Sequence, residues 1–378
     1  MEITPFIVME VLERAKQLEA AGEQIIHLEI GEPDFDTPEP VKEAAVKAIK
    51  EGDTQYTHSL GKYDFREEIA DYYYRTYNIT ISPEQIIVTM GSSTAMLLAF
   101  SALLEKGGEI IISNPHYACY PNFIRYTGGK PREINVYEED GFKYRPEKLQ
   151  QFLSPGTKAV VINSPANPTG NVFSKDELEI IADLGCYIIS DEVYHGLNYE
   201  GRDYSMLEFT DQTFVINSFS KKYAMTGWRL GFVVAPHKFL RYMQVLQQNI
   251  FISASSFVQE AGRAALKYCD RHVLQMVNTY NERRLYVLER LAEMKIATRV
   301  NPTGAFYALA NIKKYNTDSY SLAFEILEKA KVAVTPGIDF GSNGEGYLRI
   351  SYSNSLENIK EGMDRLESFL KEIEGRNQ

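Results

Sequence analysis

The chain has 378 residues, 44% hydrophobic and 24% charged, an ordinary globular composition with enough apolar material for two or three domain-sized units and no need of disulfides or metals. Its formal net charge of -11 repels phosphate backbones, so nucleic acid is not an expected partner. Three dispersed cysteines, Cys119, Cys186 and Cys269, suit a reducing compartment rather than a disulfide framework. No apolar run approaches the ~18 residues of a membrane span and no basic head precedes an apolar block at the N-terminus, so a cytoplasmic protein is expected.

In chain order, residues 6–21 predict an amphipathic helix, with Ile7, Val8, Val11, Leu12, Ala15 and Leu18 at helical spacing and Gly22 as its stop. A short apolar run at 25–30 breaks at Gly31-Glu32-Pro33-Asp34. Helices are then expected at 40–50, 63–77, 94–105 and 175–183. Short apolar strands are expected at 86–89, 110–112, 159–162, 187–189, 214–217 and 230–234. Strands alternating with helices predict an α/β fold, a mostly parallel sheet covered on both faces. Residues 257–295 carry one long helical pattern. Beyond Asn301-Pro302, strands at 305–310, 332–335 and 347–351 alternate with helices at 319–329 and 355–372, which reads as a smaller α/β unit. The division expected is 35–275 for the large domain, and 1–34 with 276–378 for the small one.

The segment SFSKKYAMTGWRLGF, residues 218–232, carries the most chemistry. It places Ser218, Ser220 and Lys221 at a strand end and Arg229 just beyond a turn. Strand ends of α/β sheets are where ligands bind. A lysine there can attack a carbonyl, while an arginine and hydroxyls hold a phosphate. Four further turns follow predicted strands: Thr89-Met90-Gly91-Ser92-Ser93-Thr94, Asn114-Pro115-His116-Tyr117, Ser164-Pro165-Ala166-Asn167-Pro168-Thr169-Gly170, and Asp191-Glu192-Val193-Tyr194. Small residues opening a helix let backbone N–H groups approach an anion. Glu192 is expected to face water.

In this order the motifs resemble those of class I/II aminotransferases, in the pyridoxal-phosphate fold type I superfamily, from about residue 25 to 355. The resemblance implies a large domain with a seven-stranded sheet, a smaller α/β domain and pyridoxal 5'-phosphate as cofactor. By it, Lys221 carries the cofactor, and Ser92, Ser93, Ser218 and Arg229 hold its phosphate. Tyr117 stacks on its ring, Asn167 and Tyr194 bind its ring oxygen, and Asp191 pairs with the ring nitrogen. Lys221, Asp191 and Tyr194 form the catalytic set. Gly31, Asn167 and Arg349, the last in Tyr347-Leu348-Arg349-Ile350-Ser351, meet the substrate, the arginine gripping its α-carboxylate by a planar fork that lysine lacks. Tyr56, in Gln55-Tyr56-Thr57, resembles a tyrosine that reaches the neighbouring subunit's phosphate, which implies a homodimer. The activity implied is ping-pong transfer of an amino group from an L-amino acid to a 2-oxo acid. Aspartate or an aromatic amino acid is the favoured donor, and 2-oxoglutarate the favoured acceptor. No arginine suited to a second substrate carboxylate stands out.

Other chemistries fit less well. A C–S β-lyase is the alternative within the same fold. A nicotinamide enzyme would show Gly-x-Gly-x-x-Gly after a strand, and the sequence has none. His116 and Cys119 form a lone ligand pair, so no metal is expected.

Overall fold

The computed structural model describes residues 3–376. A two-residue strand, β1 (Ile26–His27), precedes seven strands that form one sheet: β2 (Ile86–Thr89), β3 (Glu109–Asn114), β4 (Lys130–Asn135), β5 (Thr157–Asn163), β6 (Tyr187–Asp191), β7 (Thr213–Ser218) and β8 (Gly231–Val234). Their spatial order is β2-β8-β7-β6-β5-β3-β4. All pairings are parallel except those of β8, which runs antiparallel to both neighbours. Every residue of β2, β7 and β8 is buried, as apolar runs covered by helices on two faces must be. The period of two divides the side chains. Ile87, Ile110, Val161, Ile189 and Ile216 pack with the helix Ser92–Leu103. Val88, Ile111, Val160, Ile188 and Val215 enter the opposite layer.

A second core surrounds β9 (Tyr307–Asn311), β10 (Val332–Ala333), β11 (Thr335–Pro336) and β12 (Tyr347–Ser351). Here β11, β12 and β9 form an antiparallel sheet, and β10 pairs in parallel with β1. The N-terminal helix Ile7–Ala20 packs its Val11, Ala15 and Leu18 against Ala333 and Leu327 of this region.

Several boundaries differ from the sequence expectation. The long pattern at 257–295 is two helices, Ser256–Tyr268 and Asp270–Glu293, divided at Cys269. The run at 332–335 is β10 and β11, which join different sheets. Edge strand β4 and helix His237–Ile250 were not expected. Pro131 and the charges of Lys130, Arg132 and Glu133 disguise β4, as edge strands often are disguised. The fold's main consequence is positional. The C-terminal ends of β2, β3, β5, β6 and β7 share one rim of the sheet. Antiparallel β8 brings Gly231 to the same rim, opposite both Thr89 and Ser218.

Candidate active site

At that rim lies a cavity of about 420 Å³ lined by Lys221, Asp191, Asn167, Arg229, Arg349 and Tyr194, among others. Lys221 reaches it from a short helix, Phe219–Lys222, that follows β7 directly. The Ser218 hydroxyl caps this helix, accepting from the Ser220 N–H at 3.1 Å. Lys221 Nζ donates to the Gly31 carbonyl at 2.5 Å. Burial lowers the amine to about 8; the charges of Arg349 and Arg229 add to this and Glu32 opposes it. A larger fraction of the amine is therefore neutral near pH 7 than for a surface lysine, as a nucleophile and proton carrier requires.

Beside Lys221 the backbone forms an anion cradle. Gly91 has φ +82°, and a Cβ there would stand 2.6 Å from Arg229 Nη2. A Cβ on Gly231 would stand 2.9 Å from Ser92 N. The two glycines thus let three segments converge on the N-terminus of the Ser92–Leu103 helix, which no side chain caps. Ser92 and Ser93 of its first turn, Ser220 and Arg229 all border the cavity. Uncapped donors plus a guanidinium suit a phosphate.

The middle of the cavity suits a flat heteroaromatic ring. Asp191, at the end of β6, is buried, and burial raises its carboxyl to about 6. Tyr120 Oη donates to it at 2.5 Å and the Val193 N–H at 3.3 Å. A protonated ring nitrogen would supply the counter-charge that burial makes valuable. The Tyr117 ring borders the cavity and meets Tyr120 edge-on, centroids 5.3 Å apart. Tyr194 Oη is 2.8 Å from Tyr307 Oη.

The far end suits a carboxylate. Arg349, on β12, is buried. Its Nη1 donates to Asn167 Oδ1 at 3.0 Å, and its Nη2 to Thr335 Oγ1 at 3.0 Å and to the Glu29 carbonyl. The Tyr307 and Phe340 rings lie against the guanidinium, with centroids 4.5 and 4.9 Å from Cζ. This guanidinium borders the cavity as a buried cation with no carboxylate among the described residues bonded to it. Gly31 is needed here for space. A Cβ would lie 1.9 Å from Tyr307 Oη, and Tyr307 is 1% exposed and cannot swing away. Gly31→Ala is therefore expected to lose about 1–3 kcal/mol of stability by overpacking and to raise the KM for amino acid. An unchanged denaturation midpoint would refute the crowding.

One cavity thus gathers Gly31, Ser92, Ser93, Tyr117, Asn167, Asp191, Tyr194, Ser218, Lys221, Arg229 and Arg349. Tyr56 does not border it and is 86% exposed. Ser218 borders it, but its hydroxyl serves the turn, donating to Ser220 Oγ at 2.9 Å or to the Leu230 carbonyl. Glu192 corrects the sequence expectation. It is 1% exposed, and its Oε1 accepts from Ser190 Oγ, Ser205 Oγ and Met206 N at 2.9–3.0 Å. Strand alternation turns it away from Asp191 into the core, not into water. Tyr307 and the N-terminal residues Phe6, Val8, Met9 and Leu12 on the cavity wall, and Tyr120 bonded to Asp191, were not anticipated at the site. In a chain with 25 tyrosines neither tyrosine carries a signal of its own.

The fold and this cavity define a pyridoxal-phosphate enzyme of fold type I. The chain belongs to the class I and II aminotransferase family, whose model matches residues 23–366, and it is a pyridoxal-phosphate-dependent aminotransferase. It is 44% identical to the (5-formylfuran-3-yl)methyl phosphate transaminase of Methanocaldococcus jannaschii, over 97% of this chain and 96% of that one. It is 42% identical to the aspartate aminotransferase of Pyrococcus horikoshii, over 96% and 94%. Among solved structures, the Thermus thermophilus aspartate aminotransferase with maleate superposes with a TM-score of 0.93 at 36% identity, covering 97% of each chain.

Proposed function

We propose that the enzyme moves an amino group from aspartate or an aromatic amino acid to 2-oxoglutarate, as a cytoplasmic homodimer with shared sites. The observation that carries the chemistry is one cavity holding the Lys221 amine, the buried Asp191 carboxylate and the Arg229 and Arg349 guanidiniums. Pyridoxal phosphate supplies a carbonyl that takes up the amino group and a ring that accepts electrons as the substrate Cα–H bond breaks. The chain's residues do the rest. Arg229, Ser92 and Ser93 hold the phosphate. Asp191 keeps the ring nitrogen protonated, and Tyr117 covers one face. Asn167 and Tyr194 donate to the ring oxygen. Arg349 fixes the substrate α-carboxylate, so that Cα–H stands toward Lys221, whose amine takes the proton and returns it on the other side of the transfer. Donor and acceptor use the same site in turn, which gives ping-pong kinetics. Residues 35–275 act as the large domain, and 1–34 with 276–378 as the small one.

Tyr56 supports the dimer. Its phenol lies outside its own subunit's cavity and faces solvent. Thr57 joins its loop to Ser253 and Ala254 by hydrogen bonds of 3.3 Å. Ile250 and Ile252, a few residues before Ser253, are 56% and 47% exposed, and exposed apolar side chains of this kind suit an interface. Subunit exchange tests the sharing. When inactive Lys221→Ala is mixed with Tyr56→Phe, one site of each heterodimer receives both defects and the other neither. Activity is then expected to rise above the sum of the parents. Proven exchange without a gain would put Tyr56 outside any shared site.

A further inference from the structure

We infer that His27 is a positioning residue for substrate binding: its ring bridges two carboxylates, Glu19 and Glu29, and through Glu29 it holds the backbone carbonyl on which Arg349 rests. The inference rests on the function proposed above, in which Arg349 fixes the substrate α-carboxylate. None of His27, Glu19 and Glu29 borders the cavity itself.

Two observations carry it. The first is how completely the backbone of residues 27–31 is engaged. The His27 carbonyl accepts from Asn354 Nδ2 at 2.9 Å, that of Leu28 from the Ser351 N–H at 2.7 Å, and that of Ile30 from Ser353 Oγ at 3.3 Å. Between them the Glu29 carbonyl accepts from Arg349 Nη2, and from Thr335 Oγ1 at 3.1 Å. The Gly31 carbonyl accepts from Lys221. Five successive carbonyls thus tie this segment to β12, to the turn after it and to the reacting lysine. On the outer side the C-terminal helix packs tightly against it: a Cβ on Gly362 would stand 2.9 Å from Ile26 Cγ2 and 3.0 Å from Leu28 Cδ1. A shift of Glu29 therefore moves the support of Arg349.

The second observation is what holds the Glu29 side chain. It is fully buried, and His27, two residues back on the same side of this extended segment, places Nδ1 2.7 Å from its Oε1. The other ring nitrogen, Nε2, lies 3.1 Å from Glu19 Oε1 in the last turn of the N-terminal helix. A carboxylate only accepts and a neutral imidazole has one N–H, so both contacts are hydrogen bonds when the ring is a cation. The bond to Glu29 raises His27 above its ordinary 6.5; burial opposes this, and the charge of Glu29 and the bond to Glu19 add to it. Lys16 holds the other oxygen of Glu19 at 2.7 Å. At the start of the segment Lys331 pairs with Glu23 at 3.1 Å, and Arg365 of the C-terminal helix donates to the Gln24 carbonyl at 2.9 Å. β10 sets the uncharged Ala333 opposite His27. The bridge is complete below the ordinary 6.5 and is lost as pH climbs through the raised value. One ring nitrogen then turns a lone pair to a carboxylate, and buried Glu29 loses its counter-charge.

Half-reactions of the holoenzyme test this between about pH 6 and 9, with whichever common amino acid the wild type converts fastest. The ratio of variant to wild type cancels the titrations that the two share. His27→Gln keeps one donor for Glu29 and carries no charge. At the low end it is expected to raise the saturation constant about three- to tenfold, a part of one charge-assisted bond, with the maximal rate held within about twofold. The excess should fade toward the high end, where the wild type has lost the cation too. A second readout needs no turnover. The His27 ring, followed by NMR with isotope-labelled histidine and assigned by its absence from His27→Gln, should titrate above 6.5 in the wild type and lower in Glu29→Gln. An unchanged saturation constant at the low end, or an excess that does not vary with pH, would overturn the positioning role. A ring that titrates at or below its ordinary value would overturn the bridge. Silence with every amino acid, beside a ring that titrates as expected, would instead strike at the proposed function, and the link to substrate binding would fall with it.

Discussion

Lys221→Ala is expected to abolish turnover, by about 10⁴-fold or more in kcat, because accepting the cofactor and moving the proton depend on one amine. The geometry makes the loss hard to compensate. Lys222 is adjacent in sequence, but its Nζ donates to Tyr72 Oη at 3.0 Å and its pKa is raised by the tyrosines around it. It is committed to the core behind the site. The Lys221→Ala protein should still bind pyridoxal phosphate without a covalent bond, because Arg229, Ser92 and Ser93 are untouched. Steady-state assays and equilibrium dialysis separate the two effects. Residual ping-pong turnover near the wild-type rate would mean that another group moves the proton.

Asp191→Ala is expected to weaken cofactor binding and to reduce transamination by on the order of 10²–10³-fold or more, the scale of losing one preorganised electrostatic partner. An unprotonated ring nitrogen accepts electrons poorly. Asp191 also anchors Tyr120, which packs edge-on against Tyr117, so the ring's covering face loosens as well. Burial raises the carboxyl to about 6, and a protonated ring nitrogen facing it would pull it back down. Loss of the cofactor's cation as the ring deprotonates should therefore be resisted in the wild type. The absorbance of bound cofactor should titrate at lower pH in Asp191→Asn. Near-normal rates in Asp191→Ala would show that a different group protonates the ring.

The residues that share the cavity were legible in the sequence because each motif sits where a strand ends, and strand ends are marked by a switch from apolar runs to Gly, Pro, Ser and Asn. Lys221, Asp191, Asn167 and the Ser92-Ser93 turn all lie at such switches. What stayed hidden depends on tertiary approach. Tyr307 reaches the site because β9 lies beside β12 and its ring packs against Arg349. Nothing in Ala305-Phe306-Tyr307 announces this. The N-terminal helix shows an amphipathic pattern whose apolar face could serve a core alone. In the structure Val11, Ala15 and Leu18 do so, while Met9 and Leu12 turn to the cavity. Glu192 misled for a related reason. A charged residue beside a functional carboxylate suggests a solvated pair, but strand alternation sends the two side chains to opposite faces. Cys269, which divides the helices at 256–268 and 270–293, carries neither Gly nor Pro as a warning.

Borohydride reduction of the holoenzyme followed by peptide mapping tests the central claim most directly. Reduction fixes the cofactor to whichever lysine carries it. The label is expected on Lys221 alone, in the peptide containing Ser218-Phe219-Ser220-Lys221. A label on Lys222, or on any lysine outside the cavity, would contradict the account.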